Sequence, residues 1–197
     1  MKYAIKHFKS MSVALEELEQ FVKNGEHLQT GKPFKNFSDM RSREVLGNWL
    51  ICAVQNDTHQ AERLIFTSDP VGGDGVFHDT ETGETWPSEH VMVPYLSTNQ
   101  ERDAGDLILN AISFKNGKGG AAYAAGKTLV VFLNAGAGIW YPNRVAKLLP
   151  QPLHFESVWV VGLHGVDGGE YIYNVTLVCT ENLIRVDDVM ESPKLAE

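Results

Sequence analysis

Apolar residues recur at helical spacing in four parts of the chain. The pattern predicts helices over residues 13–22, 38–54, 101–116 and 142–149. Ser12 is expected to cap the first helix, because its hydroxyl can accept a hydrogen bond from the backbone of the first turn. A proline near the start is typical of a helix such as the last, short one. Each helix would present an apolar face to a common core.

The second helix has a wide apolar arc, so it is expected to be covered on more than one side. Ser38 or Asp39 would cap this helix. Trp49 lies within the arc and is predicted to be buried. The remaining narrow stripe is polar and consists of Arg41, Glu44, Asn48 and Gln55. In the simplest interpretation Glu44 meets solvent.

Six shorter apolar runs are typical of β-strands. They are residues 62–67, 75–79, 89–95, 127–133, 157–163 and 171–178. The first three runs are separated by short breaks, one of which contains Gly83, and they predict an antiparallel meander. The fourth run is almost continuously apolar, which is typical of a central strand. A glycine-containing segment over residues 164–169 would join the last two runs.

The order of these elements predicts an α/β protein with a mixed β-sheet sandwiched by helices. We expect an N-terminal helical arm and linker over residues 1–37, a single α/β domain over residues 38–190 and a polar tail over residues 191–197. The last two strands could either extend the sheet or form the interface of a homodimer. The sequence leaves both alternatives open.

The composition is that of a globular protein rather than a disordered or collagen-like one. Apolar residues make up 43% and charged residues 21% of the 197 positions. With 17 basic and 25 acidic residues, the formal net charge is −8. This charge argues against nonspecific coating of nucleic acid, which depends on lysines and arginines that neutralise phosphates. It favours metal-assisted binding over a broad basic patch and does not exclude a local basic site.

The sequence contains no pattern typical of a membrane span or a signal peptide. The first residues lack an apolar core, and no apolar run approaches the roughly 18 residues that a span needs. Cys52 and Cys179 lie in apolar runs and are typical of core residues in a reduced protein. We therefore expect a cytoplasmic protein with no membrane partner.

Asp74 and Glu89 are the first candidates for chemistry. Asp74 precedes the second predicted strand and Glu89 begins the third, so the hairpin between them would bring the two carboxylates close together. Two close carboxylates repel each other unless a cation lies between them. Mg²⁺ suits such a pair, because it needs only one or two carboxylates and keeps waters or substrate phosphates as its other ligands. Mn²⁺ is the alternative ion.

Lys115 is the second unusual residue, because helical spacing places it in the middle of the apolar face of the third helix. A lysine there must reach past the end of the sheet or meet a charged partner. The carboxylate pair is a suitable partner, since this helix directly follows the strand of Glu89. Alternatively, Lys115 only stabilises the C-terminal end of its own helix.

The order helix, β-meander, helix and strand resembles the common core of the PD-(D/E)XK nuclease superfamily, the restriction-endonuclease-like fold. The resemblance covers about residues 38–134. Four segments carry it: Asp69-Pro-Val-Gly-Gly-Asp74-Gly-Val-Phe, Glu89-His-Val-Met-Val, Ile112-Ser-Phe-Lys115-Asn-Gly-Lys118 and Thr128-Leu-Val-Val-Phe-Leu.

The resemblance implies roles for particular residues. Asp74 and Glu89 would be the metal-binding aspartate and glutamate of the family. The family's lysine stands two residues after the glutamate, where this chain has Val91, and some members move it to the following helix, which would make it Lys115. Glu44 would be the glutamate that many members carry on the first core helix. The implied activity is Mg²⁺- or Mn²⁺-dependent hydrolysis of phosphodiester bonds in DNA or RNA.

A noncatalytic alternative stays open, namely a binding or regulatory module on the same fold. Val91 at the usual lysine position and the acidic net charge both favour it. His90 does not decide between the two, because it would point to the face of its strand opposite Glu89 and is not expected to bind the metal.

Overall fold

A computed structural model describes residues 8–23, 33, 35–38, 40–93, 103–133 and 138–180 of the protein. The helices are α1 (Met11–Val22), α2 (Ser42–His59), α3 (Ala104–Gly117), α4 (Gly120–Ala124) and α5 (Pro142–Lys147), with a 3₁₀ turn at Lys35–Phe37. The strands are β1 (Leu64–Thr67), β2 (Val76–Asp79), β3 (Thr85–Val93), β4 (Thr128–Leu133), β5 (Ser157–Asp167) and β6 (Glu170–Thr180). Residues 1–7, 24–32 and 34 of the predicted arm and linker, the alternative cap Asp39 and the predicted tail over 191–197 lie outside the described residues.

The six strands form one sheet, in the order in which they follow along the chain. β1, β2 and β3 pair antiparallel, which confirms the predicted meander. β4 lies between β3 and β5 and is parallel to both, and β6 returns antiparallel to β5. The predicted α/β class with a mixed sheet is therefore confirmed, and the last two strands extend this same sheet. Both parallel connections pass through helices, as parallel pairing requires.

Strand β4 separates two apolar layers. Each of its six residues is buried, and alternate side chains point to opposite faces of the sheet. Val130 and Phe132 pack in a cluster with α1 and α2, whereas Leu129, Val131 and Leu133 pack with α3 and α5. Helices therefore cover both faces of the sheet. Within the described ranges, no helix is long and apolar enough to cross a membrane.

Helix α2 continues to His59, beyond the predicted end near Val54. The added turn is polar in sequence, and a contact with the sheet supports it. The Asn56 side chain accepts a hydrogen bond from Leu64 N at 2.6 Å and donates one to Leu64 O at 2.8 Å. Sequence periodicity did not find this turn, because its stability comes from β1 rather than from an apolar face.

The starts of α1 and α2 also differ from expectation. Ser10 rather than Ser12 caps α1, and its hydroxyl accepts a hydrogen bond from Val13 N at 3.4 Å. Helix α2 begins after Arg41, later than the predicted Ser38 or Asp39, because Ser38 has a left-handed backbone with φ of 49°. A left-handed residue cannot enter a right-handed helix.

The β5–β6 hairpin is longer than predicted. Residues 164–167 continue β5, although they were predicted as part of a loop. The turn consists of Gly168 and Gly169, with φ values of 54° and 89°. Two consecutive residues with positive φ form the tight turn that matches the twist of the flanking strands, and glycine adopts this conformation without strain.

The predicted N-terminal arm packs against the main domain through α1. Ala14 and Leu18 are 1% and 0% exposed and belong to the same apolar cluster as α2. The Trp49 indole N–H of α2 donates a hydrogen bond to Met11 O at 2.9 Å. Trp49 is partly buried and packs against this cluster, so the prediction that it is buried holds only in part. Its ring lies where α1 meets α2 and joins the two helices.

We expect Trp49→Ala to lower the free energy of unfolding by about 2–4 kcal/mol, less than emptying a fully buried aromatic site. Trp49→Phe retains most of the ring contact and loses the bond to Met11, so it should cost about 1 kcal/mol. Urea denaturation measures both values. Equal costs for the two variants would show that ring packing contributes nothing at this junction.

Candidate active site

A cleft of about 470 Å³ opens beside the first half of β3. Three parts of the chain line it: the β1–β2 loop, β3 itself and the segment from the end of α3 to the start of β4. The lining residues are Asp69, Val71, Gly72, Gly73, Asp74, Pro87, Glu89, Lys118, Tyr123 and Lys127. The structure thus brings Asp74 and Glu89, the two predicted metal ligands, to one cleft.

Glu89 is buried between two lysines that come from different elements. Lys115 of α3 donates a hydrogen bond to Glu89 Oε1, and each of the two side chains is only 12% exposed. Lys127 Nζ lies 3.9 Å from Glu89 Oε2. Lys115 therefore meets a carboxylate of the predicted pair, as its position on the apolar face suggested. The lysines supply from within the chain the positive charge that a buried carboxylate needs.

The register of the sheet explains why Lys127 reaches Glu89. Glu89 pairs with Leu129 in the parallel β3–β4 ladder. Lys127 stands two residues before Leu129 and so points to the same face of the sheet. That face is the one that α3 covers, which is why both lysines approach Glu89 from the same layer.

Asp74 is held by the backbone of β3 and by helix α2, on the side of the sheet opposite α3. Its Oδ2 accepts a hydrogen bond from His90 N at 2.7 Å, and its carbonyl oxygen accepts one from Asn48 Nδ2 at 3.3 Å. Asn48 Oδ1 in turn bonds His90 Nε2 at 3.0 Å. At Gly75, next to Asp74, an added Cβ would lie 2.4 Å from Asn48 Nδ2, so only glycine lets the loop approach α2 this closely. These contacts fix the start of β2 beside β3.

His90 points away from Glu89, toward α2, as expected from the alternation of side chains along a strand. It is 6% exposed, and Gly47 of α2 packs on its ring, where an added Cβ would lie 3.0 Å from Cε1. Burial lowers the pKa of His90 to about 3, against an opposing contribution from Glu89. The ring is therefore neutral and acts as a hydrogen-bond donor from Nε2 to Asn48.

Glu44 does not meet solvent, since it is 3% exposed. Its Oε2 accepts a hydrogen bond from Arg41 N at 2.8 Å, and its Oε1 accepts one from Arg41 Nη1 at 3.0 Å. Burial raises the pKa of Glu44, and the nearby charge of Asp74 raises it further. The same cluster includes Arg43, whose pKa burial lowers. Glu44, a predicted catalytic residue, thus lies near Asp74 but does not line the cleft, and its carboxylate caps the start of α2.

Tyr123, Lys118 and Lys127 were not predicted as site residues. The Lys127 and Lys118 amines lie 4.2 Å and 5.2 Å from the centroid of the Tyr123 ring. Burial, together with the Glu89 carboxylate, raises the pKa of Tyr123 well above its usual value, so its hydroxyl stays protonated. A sequence signal existed for Lys127, because it directly precedes a predicted central strand next to the strand of Glu89. Tyr123 gave none, since it lies on the short helix α4, which periodicity did not reveal.

Among the described residues, no group of three or more histidine, cysteine, aspartate or glutamate side chains is arranged to hold a metal ion. Comparisons with protein-family models, with curated proteins and with solved structures find no match to this chain.

We expect removal of the Glu89 charge to lower the free energy of unfolding more than removal of either lysine charge. Glu89→Gln leaves the buried Lys115 without a counter-charge and should cost about 3–5 kcal/mol of unfolding free energy. Lys115→Met should cost less, about 1–2 kcal/mol, because Lys127 still balances Glu89. Chemical denaturation of both variants tests this order, with Lys127→Met as the mildest case. A larger cost for Lys115→Met than for Glu89→Gln would contradict it.

The pKa of His90 predicts a loss of stability in acid. Unfolded His90 takes up a proton near its ordinary pKa of 6.5, whereas the folded ring stays neutral until about 3. Between these values the unfolded state binds more protons, so stability is lost as the pH falls below about 6.5. His90→Gln retains a donor for Asn48 and has no such titration.

The advantage of the wild type over His90→Gln should therefore shrink by about 1–2 kcal/mol between about pH 7 and pH 5. Urea denaturation at the two pH values gives the difference directly. Parallel losses in the two proteins would mean that His90 is not the group responsible.

Proposed function

We propose that this protein is a metal-dependent nuclease with a restriction-endonuclease-like core, which hydrolyses phosphodiester bonds in DNA or RNA. One observation carries the proposal: Lys115 of α3 bonds Glu89 of β3 at a cleft that Asp74 also lines. The resemblance to the PD-(D/E)XK superfamily implies metal-binding or catalytic roles for these same three residues. The antiparallel meander, followed by a helix and a strand parallel to β3, gives further support.

The donor set at the cleft fits a hard divalent cation. Asp74 and Glu89 provide carboxylate oxygens, and Mg²⁺ or Mn²⁺ needs only one or two of these if waters and substrate phosphates complete its shell. Two carboxylates are too few for a closed structural metal site. Bound there, Mg²⁺ would act as a Lewis acid on the phosphodiester and would lower the pKa of a bound water.

The residues of the chain would then have distinct tasks. Asp74, fixed by His90 N and by Asn48, presents its carboxylate to the cleft in a set orientation. Glu89 provides the second carboxylate and holds Lys115. The Lys115 ammonium orients the attacking water or stabilises negative charge that builds up on the phosphate. Because the ammonium is already in place, little reorganisation accompanies the reaction.

A noncatalytic module on the same fold is the second candidate. The observation that favours it is the pair of lysines at Glu89, which balance the carboxylate without any metal ion. Val91 at the usual lysine position points in the same direction. Such a module would use the cleft for binding and would leave its ligand intact.

Activity is expected to require Mg²⁺ or Mn²⁺ and to vanish with a chelator. Asp74→Asn and Glu89→Gln should each abolish cleavage of labelled single- or double-stranded DNA or RNA, because each removes a charged oxygen ligand. Lys115→Met should leave metal affinity nearly unchanged and lower turnover by at least about 100-fold, since it retains the apolar stem and removes only the charge. Gel-based cleavage assays and calorimetric metal titration give the two readouts.

Glu84→Gln and Lys147→Met are the matched controls, because both side chains are exposed and neither lines the cleft. Both should cleave like the wild type. If the wild type cleaves none of the four substrates with either metal, and Asp74→Asn leaves metal affinity unchanged, the nuclease proposal is wrong and the noncatalytic module accounts better for the cleft.

A further inference from the structure

Two lysines that line the cleft, Lys118 and Lys127, take no direct part in the proposed hydrolysis, although Lys127 Nζ also lies 3.9 Å from Glu89 Oε2. Lys118 follows α3 and Lys127 precedes β4, so they come from opposite ends of the α3–β4 connection. Both ammonium groups lie over the Tyr123 ring, at 5.2 Å and 4.2 Å from its centroid. Cation–π contacts of this kind hold long, flexible side chains near one position before any ligand arrives. Less conformational entropy is then lost on binding.

The local backbone is built to place this ring. Gly119 has φ of 104°, and Gly120 has φ of 57°, so the chain reverses directly after α3 and enters α4. A Cβ added at Gly119 would lie 3.2 Å from Tyr123 Cβ. The close approach of this turn to Tyr123 therefore depends on glycine. As a result, α4 holds the aromatic ring within reach of both lysines.

The sum of the charges in the cleft indicates how many phosphodiester groups it can neutralise. The carboxylates of Asp69, Asp74 and Glu89 contribute −3. Lys118 and Lys127 in the lining, with Lys115 on Glu89, contribute +3. The sum is zero without a metal ion and +2 with one divalent cation. Two phosphodiester groups, each with a charge of −1, would neutralise the loaded cleft.

We propose that Lys118 and Lys127, held on Tyr123, bind a second, uncleaved phosphate of the same nucleic-acid strand. This inference rests on the proposed nuclease function and specifies its substrate as a strand with at least two successive phosphates. The volume of about 470 Å³ lies within the range of small-molecule sites and exceeds what one phosphate fills. Because the net charge of the protein is −8, its surface as a whole repels nucleic acid, and binding has to depend on a few local lysine–phosphate contacts of this kind.

The salt dependence of binding tests the subsite without any need for cleavage. A short fluorescein-labelled single-stranded oligonucleotide is titrated with the full-length protein in EDTA, at several NaCl concentrations, and anisotropy is measured. Lys118→Met and Lys127→Met should each weaken binding roughly three- to tenfold and lower the slope of log K against log salt by about 0.7. Lys147→Met, which is exposed on α5 away from the cleft, should change neither value.

A second pair of variants tests the ring. Tyr123→Leu removes the aromatic face that holds the two ammonium groups, whereas Tyr123→Phe retains it. We expect Tyr123→Leu to weaken oligonucleotide binding several-fold and Tyr123→Phe to bind like the wild type. A general loss of folding would affect thermal unfolding of Tyr123→Leu as well, so the melting curve is recorded for both variants.

The outcomes separate this subsite from the nuclease proposal. Cleavage by the wild type together with unchanged KM and salt slope in Lys118→Met would overturn the subsite and leave the nuclease standing. A lysine-dependent salt slope in a protein that cleaves none of the four substrates, and whose metal affinity Asp74→Asn leaves unchanged, would support the phosphate subsite and overturn the nuclease. Failure of the wild type to bind the oligonucleotide in EDTA at low salt would overturn the subsite.

Discussion

The need to balance one buried negative charge shapes this molecule. The Glu89 side chain is 12% exposed, and burying a carboxylate to this extent costs free energy unless positive charge lies close by. The chain supplies that charge twice, through Lys115 on α3 and Lys127 at the start of β4. The positions of a helix and of a central strand are therefore tied to the same oxygen pair. Structural stability and the proposed chemistry share this interaction, so a change to it alters both.

Sequence periodicity was sufficient for most of the architecture, because most elements bury an apolar face. The meander, the fully buried β4 and the two main helices all follow from this rule. The additional turn of α2 was missed, because its support is the Asn56 side chain on β1. Residues 164–167 were missed for the opposite reason: they continue β5 through backbone pairing with β6, although their side chains are mostly exposed.

The candidate site was partly visible in the sequence. Asp74, Glu89 and Lys115 stand out because each breaks the pattern around it: carboxylates at the starts of predicted strands, and a lysine on an apolar face. The structure begins β3 earlier, at Thr85, so Glu89 lies in the middle of that strand. Asn48 looked like part of a polar surface stripe, and only the packing of α2 on the sheet shows that it is buried. The expectation that only a cation relieves the repulsion between the two carboxylates was incomplete, since two lysines lie at Glu89: Lys115, which the sequence places beside the pair, and Lys127, which was not singled out.

Adjacent residues of β3 contact the helices on opposite faces of the sheet. Residues outside the cleft therefore help to determine the position of Glu89. Glu89 faces α3, whereas His90 faces α2 and rests against Gly47, where an added Cβ would lie 3.0 Å from the ring. A rigid strand cannot shift one side chain without moving its neighbour. Substitutions on the face of α2 that packs against His90 would thus also displace Glu89 in the cleft, and selection on the cleft would remove them. A screen for impaired alleles should recover substitutions at positions that no ligand ever touches.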